Sequence, residues 1–511
     1  MGGPYFIGVD LGTTGTKTAI FDLEGNLLAD AYEESQLYYP KPGWVEQNPE
    51  DFYKSTVNTI RTSVKKSGID PKEVKAIAFD SQMAGTMGID KDWNPVTHYD
   101  SWLDSRCSKY VDFIRQEHED LIIDKVGTPP SISHGPKILW WKNERPRIFG
   151  KIHKFIMPNC YVAGRMASLK GDDAYIDYTF LHFTGFSDAR KTAWSEELCQ
   201  LFAVPIDKFP TIVEPWRTVG ELSARSAREC SLVPGIPLIA GAGDQAAGSL
   251  GAGIVEPGMV FDSAGTASVF SCCVEEYKPD KENKTLIYPK SVIPDLWLPL
   301  SYIGGGGLCL RWFRDELAQS EKGIADEKQV SVYRLLDDEA SRIPPGSEGL
   351  IFVPHLGGRL YPINPNMRGV WFGLNWKHKK AHLYRSILES VAYEYRFYMD
   401  VLKELFPHLT LKEARVIGGG AKSDLWNQMK SDVLEIPYVR LNREEFGVLG
   451  LAIIAGHGVG VYKDMAETSK NLTRPVAVIK PRPEHSKIYK RYAELYLRLM
   501  RDLEDDFRIL Q

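Results

Sequence analysis

Asp10 stands two residues before a Gly12-Thr13-Thr14-Gly15 turn in the stretch FIGVDLGTTGTKTAIFD. Glycines at 12 and 15 let backbone N–H groups crowd toward an anion. Thr13, Thr14 and Thr16 add hydroxyl donors, and Lys17 adds positive charge. Such a turn suits a phosphate, which a carboxylate at its mouth would repel unless a cation lay between them. Asp10 therefore reads as the acid for a Mg²⁺ ion that arrives with a nucleotide, bound directly or through water. The competing reading is an Asp that only caps the turn. GxxxxGK[ST] is absent, and no GxGxxG opens the first strand-turn, so neither a Walker loop nor a dinucleotide fingerprint is present there.

Two further glycine turns point to the same chemistry. FDSAGTAS repeats the order of residue types in VDLGTTGT, and Gly265 and Thr266 would offer a second hairpin to the same phosphates. GGGAKSD follows an apolar run and opens a helical pattern; Gly419 and Gly420 leave room there for a flat base or ribose. The acceptor side needs a base. Asp244, in LIAGAGDQAAGS, falls at the carboxyl end of an apolar strand, where α/β proteins place functional groups. A carboxylate there can take a hydroxyl proton as the oxygen attacks the γ-phosphorus. It can also cap the helix that follows, and the two roles are compatible.

The elements that must hold these residues alternate between strand and helix. YFIGVDL, TKTAIFD and NLLADAYEE predict three strands joined by tight turns, with Gly25 supplying the second turn. NPEDFYKSTVNTIRTSVKKSG predicts a helix capped by Asn48, entered through Pro49 and stopped by Gly68. VKAIAFDSQ predicts another strand with a polar end, and helical patterns dominate from about Tyr110 to Gln200. GMVFDSAGTASVFSCCVEE then repeats the strand, Gly-Thr turn, strand order. Two similar α/β domains facing one another are expected, parting in the Gly-rich segment between Ala246 and Gly258, as 1–247 and 248–511.

Composition bounds the rest. The chain has 511 residues, long enough for two domains, and a net charge of −5 that gives no pull toward nucleic acid or an anionic membrane. Seven cysteines form no CxxC, so neither a disulfide framework nor a zinc knuckle is expected, and reduced thiols fit the cytoplasm. No basic-then-apolar leader and no run of about 18 apolar residues is seen. Trp140 and Trp141 are expected in a core, and the scattered His98, His153 and His182 lack metal-ligand spacing.

The ordered motifs DLGTTGTK, WLDSR, GAGDQAAG, GTAS, GGGGLCLRWFRDEL, PHLGGRLYPINPNMRGVWFGL, VIGGGAKSDLWNQMKSDVL and GVLGLAIIAG resemble the FGGY carbohydrate kinase family across nearly the whole chain. The resemblance implies two actin-like (ribonuclease H-like) domains and ATP-dependent phosphorylation of a sugar or polyol hydroxyl in the cleft between them. It implies that Asp244 is the base and Asp10 the metal-side acid. It places Gly12, Thr13, Thr14, Lys17, Gly265, Thr266, Gly307, Arg311, Gly419, Gly420, Ala421 and Asn427 along the nucleotide. Gln82, Met83, Ala84, Trp102, Asp104, Arg106, Asp244 and Gln245 fall on the sugar side. FDSQMAG is similar to the xylulokinase stretch, but Ala84 stands where that group has His, and Gln245 where it has Asn. His134 likewise stands where the family's first signature has Pro, Ser or Thr. A pentulose such as xylulose or ribulose is the expected substrate, with another polyol, a hexulose or an aldonate as alternatives. Sugar and ATP are the expected partners, and a homodimer is left open. The rival from another class is a non-catalytic nucleotide-dependent regulator on the same fold.

Overall fold

The computed structural model describes residues 3–510. Two six-stranded sheets are built to one plan. The first contains β1 (Tyr5–Leu11), β2 (Gly15–Phe21), β3 (Leu27–Glu34), β4 (Val74–Ser81), β5 (Thr218–Glu221) and β6 (Pro237–Gly243), in the order β5-β6-β4-β1-β2-β3. The second contains β7 (Met259–Ala264), β8 (Ser268–Cys272), β9 (Leu300–Ile303), β10 (Glu413–Ile417), β11 (Tyr438–Leu441) and β12 (Pro475–Ile479), in the order β12-β11-β10-β7-β8-β9.

Each sheet has an antiparallel three-stranded meander, β1-β2-β3 or β7-β8-β9. Its first strand runs parallel to two more, β4 and β6 or β10 and β11. An antiparallel strand closes the far edge, β5 or β12. The repeat legible in the two Gly-Thr turns thus extends to whole sheets.

The central strands are nearly continuous apolar runs, as strands covered on both faces must be. All of Tyr5–Val9 and all but the first residue of β6 are buried. Helix α1 (Pro49–Ser67) covers one face of the first sheet. Asn48 accepts from Glu50 N, Pro49 opens the helix, and Gly68 ends it at φ 65°.

Helices α2 (Asp244–Gly251), α3 (Gly306–Leu317), α4 (Lys380–Leu405), α5 (Asp424–Leu434), α6 (Phe446–Gly458) and α7 (Pro483–Asp502) belong to the seam and the second half. α6 is apolar all round and correspondingly buried. It packs with Phe6, Ala19, Ala76 and Ala78 of the first sheet and with Ala247 and Leu250 of α2. A Cβ on Gly251 would lie 1.9 Å from the Phe446 carbonyl, and one on Gly450 2.0 Å from that of Ala247. Glycine at these two positions lets the α2 and α6 backbones touch. α2 also runs through the expected boundary at 247/248.

The segment between β4 and β5 is less helical than its sequence suggests. Helices at Ser108–Val126, His134–Glu144 and Pro158–Ala167 are followed by short strands at Tyr175–Asp177, Ser187–Asp188 and Ala193–Trp194. Strands of two or three residues are too short to display an alternating pattern. Trp140 and Trp141 are buried among Ile138, Phe155 and Phe202, as expected of core residues. No helix among the described residues is long and apolar enough to cross a membrane.

Candidate active site

The first turn is closed by Gly12 N donating to Gly15 O at 3.0 Å, and the second by Gly265 N donating to Ala267 O at 3.2 Å. Each leaves a threonine exposed at its tip, Thr14 and Thr266. α3 presses on the second turn: Leu308 N donates to Thr266 O at 3.0 Å, and a Cβ on Gly307 would lie 2.1 Å from Gly265 O. Arg311 Nη2 reaches Thr266 Oγ1 at 3.5 Å. At the third turn Gly418 takes φ 80°, Gly419 has open space, and Gly420 packs against Ala264 and Trp426. Asn427 is buried, and its Nδ2 donates to Ala421 O at 2.9 Å, so it braces that turn from behind.

Lys17 is held by Glu445 at 2.6 Å and Asp30 at 3.4 Å. This pairing engages its ammonium with protein carboxylates, where the sequence suggested a phosphate.

Asp244 is the first residue of α2, and its Oδ1 accepts from Gln245 N at 2.6 Å. Part of the residue stays open to solvent. Burial, then the nearby charge of Asp10, push its carboxyl up to about 7, poised to accept a proton near neutrality. The strand that carries Asp244 is tied down by Gly243 N donating to Thr179 Oγ1 at 2.8 Å. Asp10 is raised too, by burial, against the opposing effects of Asp80 and Lys17.

Asp80 was not singled out by sequence reasoning. It sits directly across from Asp10 in the parallel β1/β4 register, 1% exposed. Burial and the charges of Asp10 and Asp244 hold its carboxyl well above the usual range. Its signal in the sequence was the polar end of VKAIAFDSQ; the pairing with Asp10, 70 positions earlier, was not visible.

Asp10, Asp80 and Asp244 therefore influence one another with no ion-pair partner among the described residues. That acid excess fits a cation. Among the described residues no three carboxylates, imidazoles or thiols converge tightly enough to chelate a bare ion. This suits Mg²⁺, which keeps several waters and takes phosphate oxygens as ligands.

Gln82 is buried and links the end of β4 to the first Gly-Thr turn. Trp102 Nε1 donates to Thr13 Oγ1 at 2.8 Å, and Thr13 Oγ1 to Gln82 Oε1 at 3.1 Å. Gln82 Nε2 donates to Gln47 Oε1 at 2.6 Å, a residue sequence reasoning missed. Met83 packs beneath Gly243, and Ala84 takes φ 63°. Trp102 is 43% exposed. Gln245 Oε1 is buried without a partner.

Asp104 and Arg106 turn inward. Arg106, with 1% of its side chain exposed, donates to Asp104 at 2.7 Å and Glu46 at 2.6 Å and lies 3.7 Å from the Trp44 ring centroid. Asp104 Oδ2 also accepts from Val45 N. The pair is thus buried and engaged by protein groups, where the sequence suggested a sugar contact.

Comparison with known proteins finds one family over both halves of the chain. The models for the N-terminal and C-terminal domains of the FGGY family of carbohydrate kinases match residues 5–251 and 261–459. A gluconokinase of Bacillus subtilis (strain 168) is 29% identical over 509 residues, 98% of this chain and 97% of that protein. A xylulose kinase of the same organism is 27% identical over 505 residues, again 98% and 97%. The structure of a ligand-bound xylulose kinase from Lactobacillus acidophilus superimposes with a TM-score of 0.90 over 99% of this chain and 100% of that one, at 23% identity.

Proposed function

This chain belongs to the FGGY family of carbohydrate kinases, and from that premise we propose that it transfers the γ-phosphoryl group of ATP to a hydroxyl of a small ketose, a pentulose such as xylulose or ribulose. The observation that carries the reading is Asp244: a partly open residue following a buried strand, its carboxyl raised to about 7 by burial and by the charge of Asp10, which precedes the first Gly-Thr turn. The acceptor hydroxyl gives its proton to Asp244 as its oxygen bonds to the γ-phosphorus, and the bond to the β,γ-bridging oxygen breaks, leaving ADP. Thr13, Thr14, Gly265 and Thr266 would hold the phosphate chain from two sides, and Gly419, Gly420 and Ala421 the adenosine. Asp10, with Asp80 behind it, would hold Mg²⁺ through water, which neutralises charge on the phosphates. Residues to 247 supply acceptor site and base, and residues from 248 the adenosine site. Seven free, buried cysteines suit a cytoplasmic enzyme.

An aldonate is the second reading. It is favoured by the gluconokinase relative and by Ala84, which offers a sugar hydroxyl no side-chain donor. A screen of ATP consumption over pentuloses, hexuloses, polyols and aldonates decides between them. A kcat/KM for gluconate above that for every pentulose overturns the first reading, and turnover of none overturns both.

A further inference from the structure

A cavity of about 450 Å³ opens in the second half of the chain, lined by none of the residues placed in the catalytic site. Its size is that of small-molecule pockets. It lies between the loop Arg359–Asn364, α4 and α7. Arg359, 9% exposed, lines it. One guanidinium nitrogen, Nη2, donates to Glu394 Oε2 at 3.0 Å, and the group lies 4.9 Å from the Phe397 ring centroid. Arg359 Nε is buried and has no acceptor. Glu394 Oε2 takes the Nη2 hydrogen alone, and the other carboxylate oxygen is shared by His355 at 2.6 Å and Tyr496 at 2.8 Å. Leaving a buried N–H of a charged group unpaired costs free energy that a bound acceptor would recover.

The remaining polar lining divides by chemistry. Arg501, from α7, adds a second guanidinium. Asn283 and Asn364 contribute carboxamides, and the exposed Glu282 and Glu504 carboxylates. Two guanidinium groups from separate elements match an anion with several oxygens. The carboxylates would repel a bare phosphate but accept hydrogen bonds from hydroxyls, and Phe397 offers its ring to a carbon skeleton. We propose that this cavity binds a small polyol phosphate, its phosphoryl oxygens on Arg359 and Arg501 and its hydroxyls on Asn283, Asn364 and Glu282.

Such a ligand grips the stem of a loop that reaches the acceptor pocket. Arg359 N donates to Asn364 O at 2.8 Å and Asn364 N to Arg359 O at 3.0 Å, closing the stem. Between them Tyr361 is buried in the same cluster as Met83, its ring 5.4 Å from that of Tyr302. Occupancy of the cavity therefore changes the KM for sugar; this consequence rests on the proposed acceptor site, whereas binding itself does not.

The test is calorimetric titration of the full chain with xylulose 5-phosphate and 6-phosphogluconate, with xylulose and inorganic phosphate as controls. A saturating non-hydrolysable ATP analogue is present throughout, because its γ-phosphoryl group excludes a phosphorylated sugar from the catalytic cleft. One phosphosugar per chain is expected to bind. Arg501→Glu is expected to weaken it by about tenfold or more, with turnover in the absence of phosphosugar unchanged. Asn283→Asp serves as a second, independent variant. No binding beside the analogue, or equal binding by both variants and the parent, overturns the proposal. Inorganic phosphate binding as tightly as the phosphosugars overturns the polyol part of it. Failure of every sugar in the kinase screen would overturn the proposed function and leave this titration as it stands.

Discussion

Asp10 and Asp262 both lie near the end of the first strand of a sheet, just before a Gly-Thr turn, but one and two residues back from the last paired position, so they project to opposite faces of the pleat. Their surroundings are opposite. Asp262 is fully buried, with Lys430 Nζ at 2.6 Å and the Tyr395 hydroxyl at 2.8 Å, and the ammonium lies 3.8 Å from the Trp426 ring centroid. Asp10 faces Asp80 and feels Asp244 nearby, while its nearest base is engaged by Glu445. One half pairs its acid internally. The other gathers Asp10, Asp80 and Asp244 with no ion-pair partner among the described residues, an arrangement that costs stability and suits the cation and proton acceptance proposed above.

The contrast breaks most sharply at Asp244. Asp244→Asn should lower sugar phosphorylation by about 10²–10⁴-fold, the usual contribution of a general base, while ATP binding by calorimetry stays close to that of the parent. Near-native turnover would remove Asp244 from the role. On the other side, Lys430→Met should destabilise the protein by about 3–5 kcal/mol, because it strands a buried carboxylate. Asp10→Asn should leave stability unchanged or raised, yet steepen the Mg²⁺ requirement for activity. Urea unfolding of the two variants compares the halves directly, and equal losses would contradict the distinction.

pH provides a third measurement. Asp244 is raised to about 7, against about 3.9 in an unfolded chain. Between those values the folded protein holds a proton that the unfolded chain has released. Its stability therefore falls as pH climbs from about 4 to about 7. Asp244→Asn should flatten that fall in a series of thermal midpoints, and Mg²⁺ with a nucleotide should offset it by binding the folded form. Activity should run the other way, kcat/KM rising through the same window as the base loses its proton.

The smallest effect expected is one of shape. The proposed phosphate donors lie on both halves, so sugar with a non-hydrolysable ATP analogue should lower the radius of gyration by small-angle scattering. An unchanged radius, with binding confirmed separately, would favour a preformed cleft.

Much of this arrangement was legible because it is local. The turns at Gly12 and Gly265, the base at the end of β6 and the capped helix after Asn48 are each written within about a dozen consecutive residues, where glycine, carboxylate and apolar periodicity speak together. What was hidden depends on register or on side-chain direction. Asp80 acquires its meaning only from β1 lying alongside β4. Arg106 looked like a ligand contact because nothing in WLDSR says that Trp44 lies over it. The Arg359 cavity gathers residues from 282 to 504, beyond any local pattern.

The backbone contact of α2 with α6 would act as a fulcrum for the domain closure predicted above. The Gly450 position meets Ala247, three residues from Asp244. At the rise of an α-helix that is about 4.5 Å. In any swing about this crossing, displacement grows with radius. Asp244, this near the crossing, would sweep only a short arc. In the proposed reaction, Asp244 would then stay aligned with the acceptor hydroxyl as the nucleotide is carried in. The backbone contact makes this possible by leaving no side-chain layer between the helices to shear, and a single methyl group at Gly450 would jam the bearing.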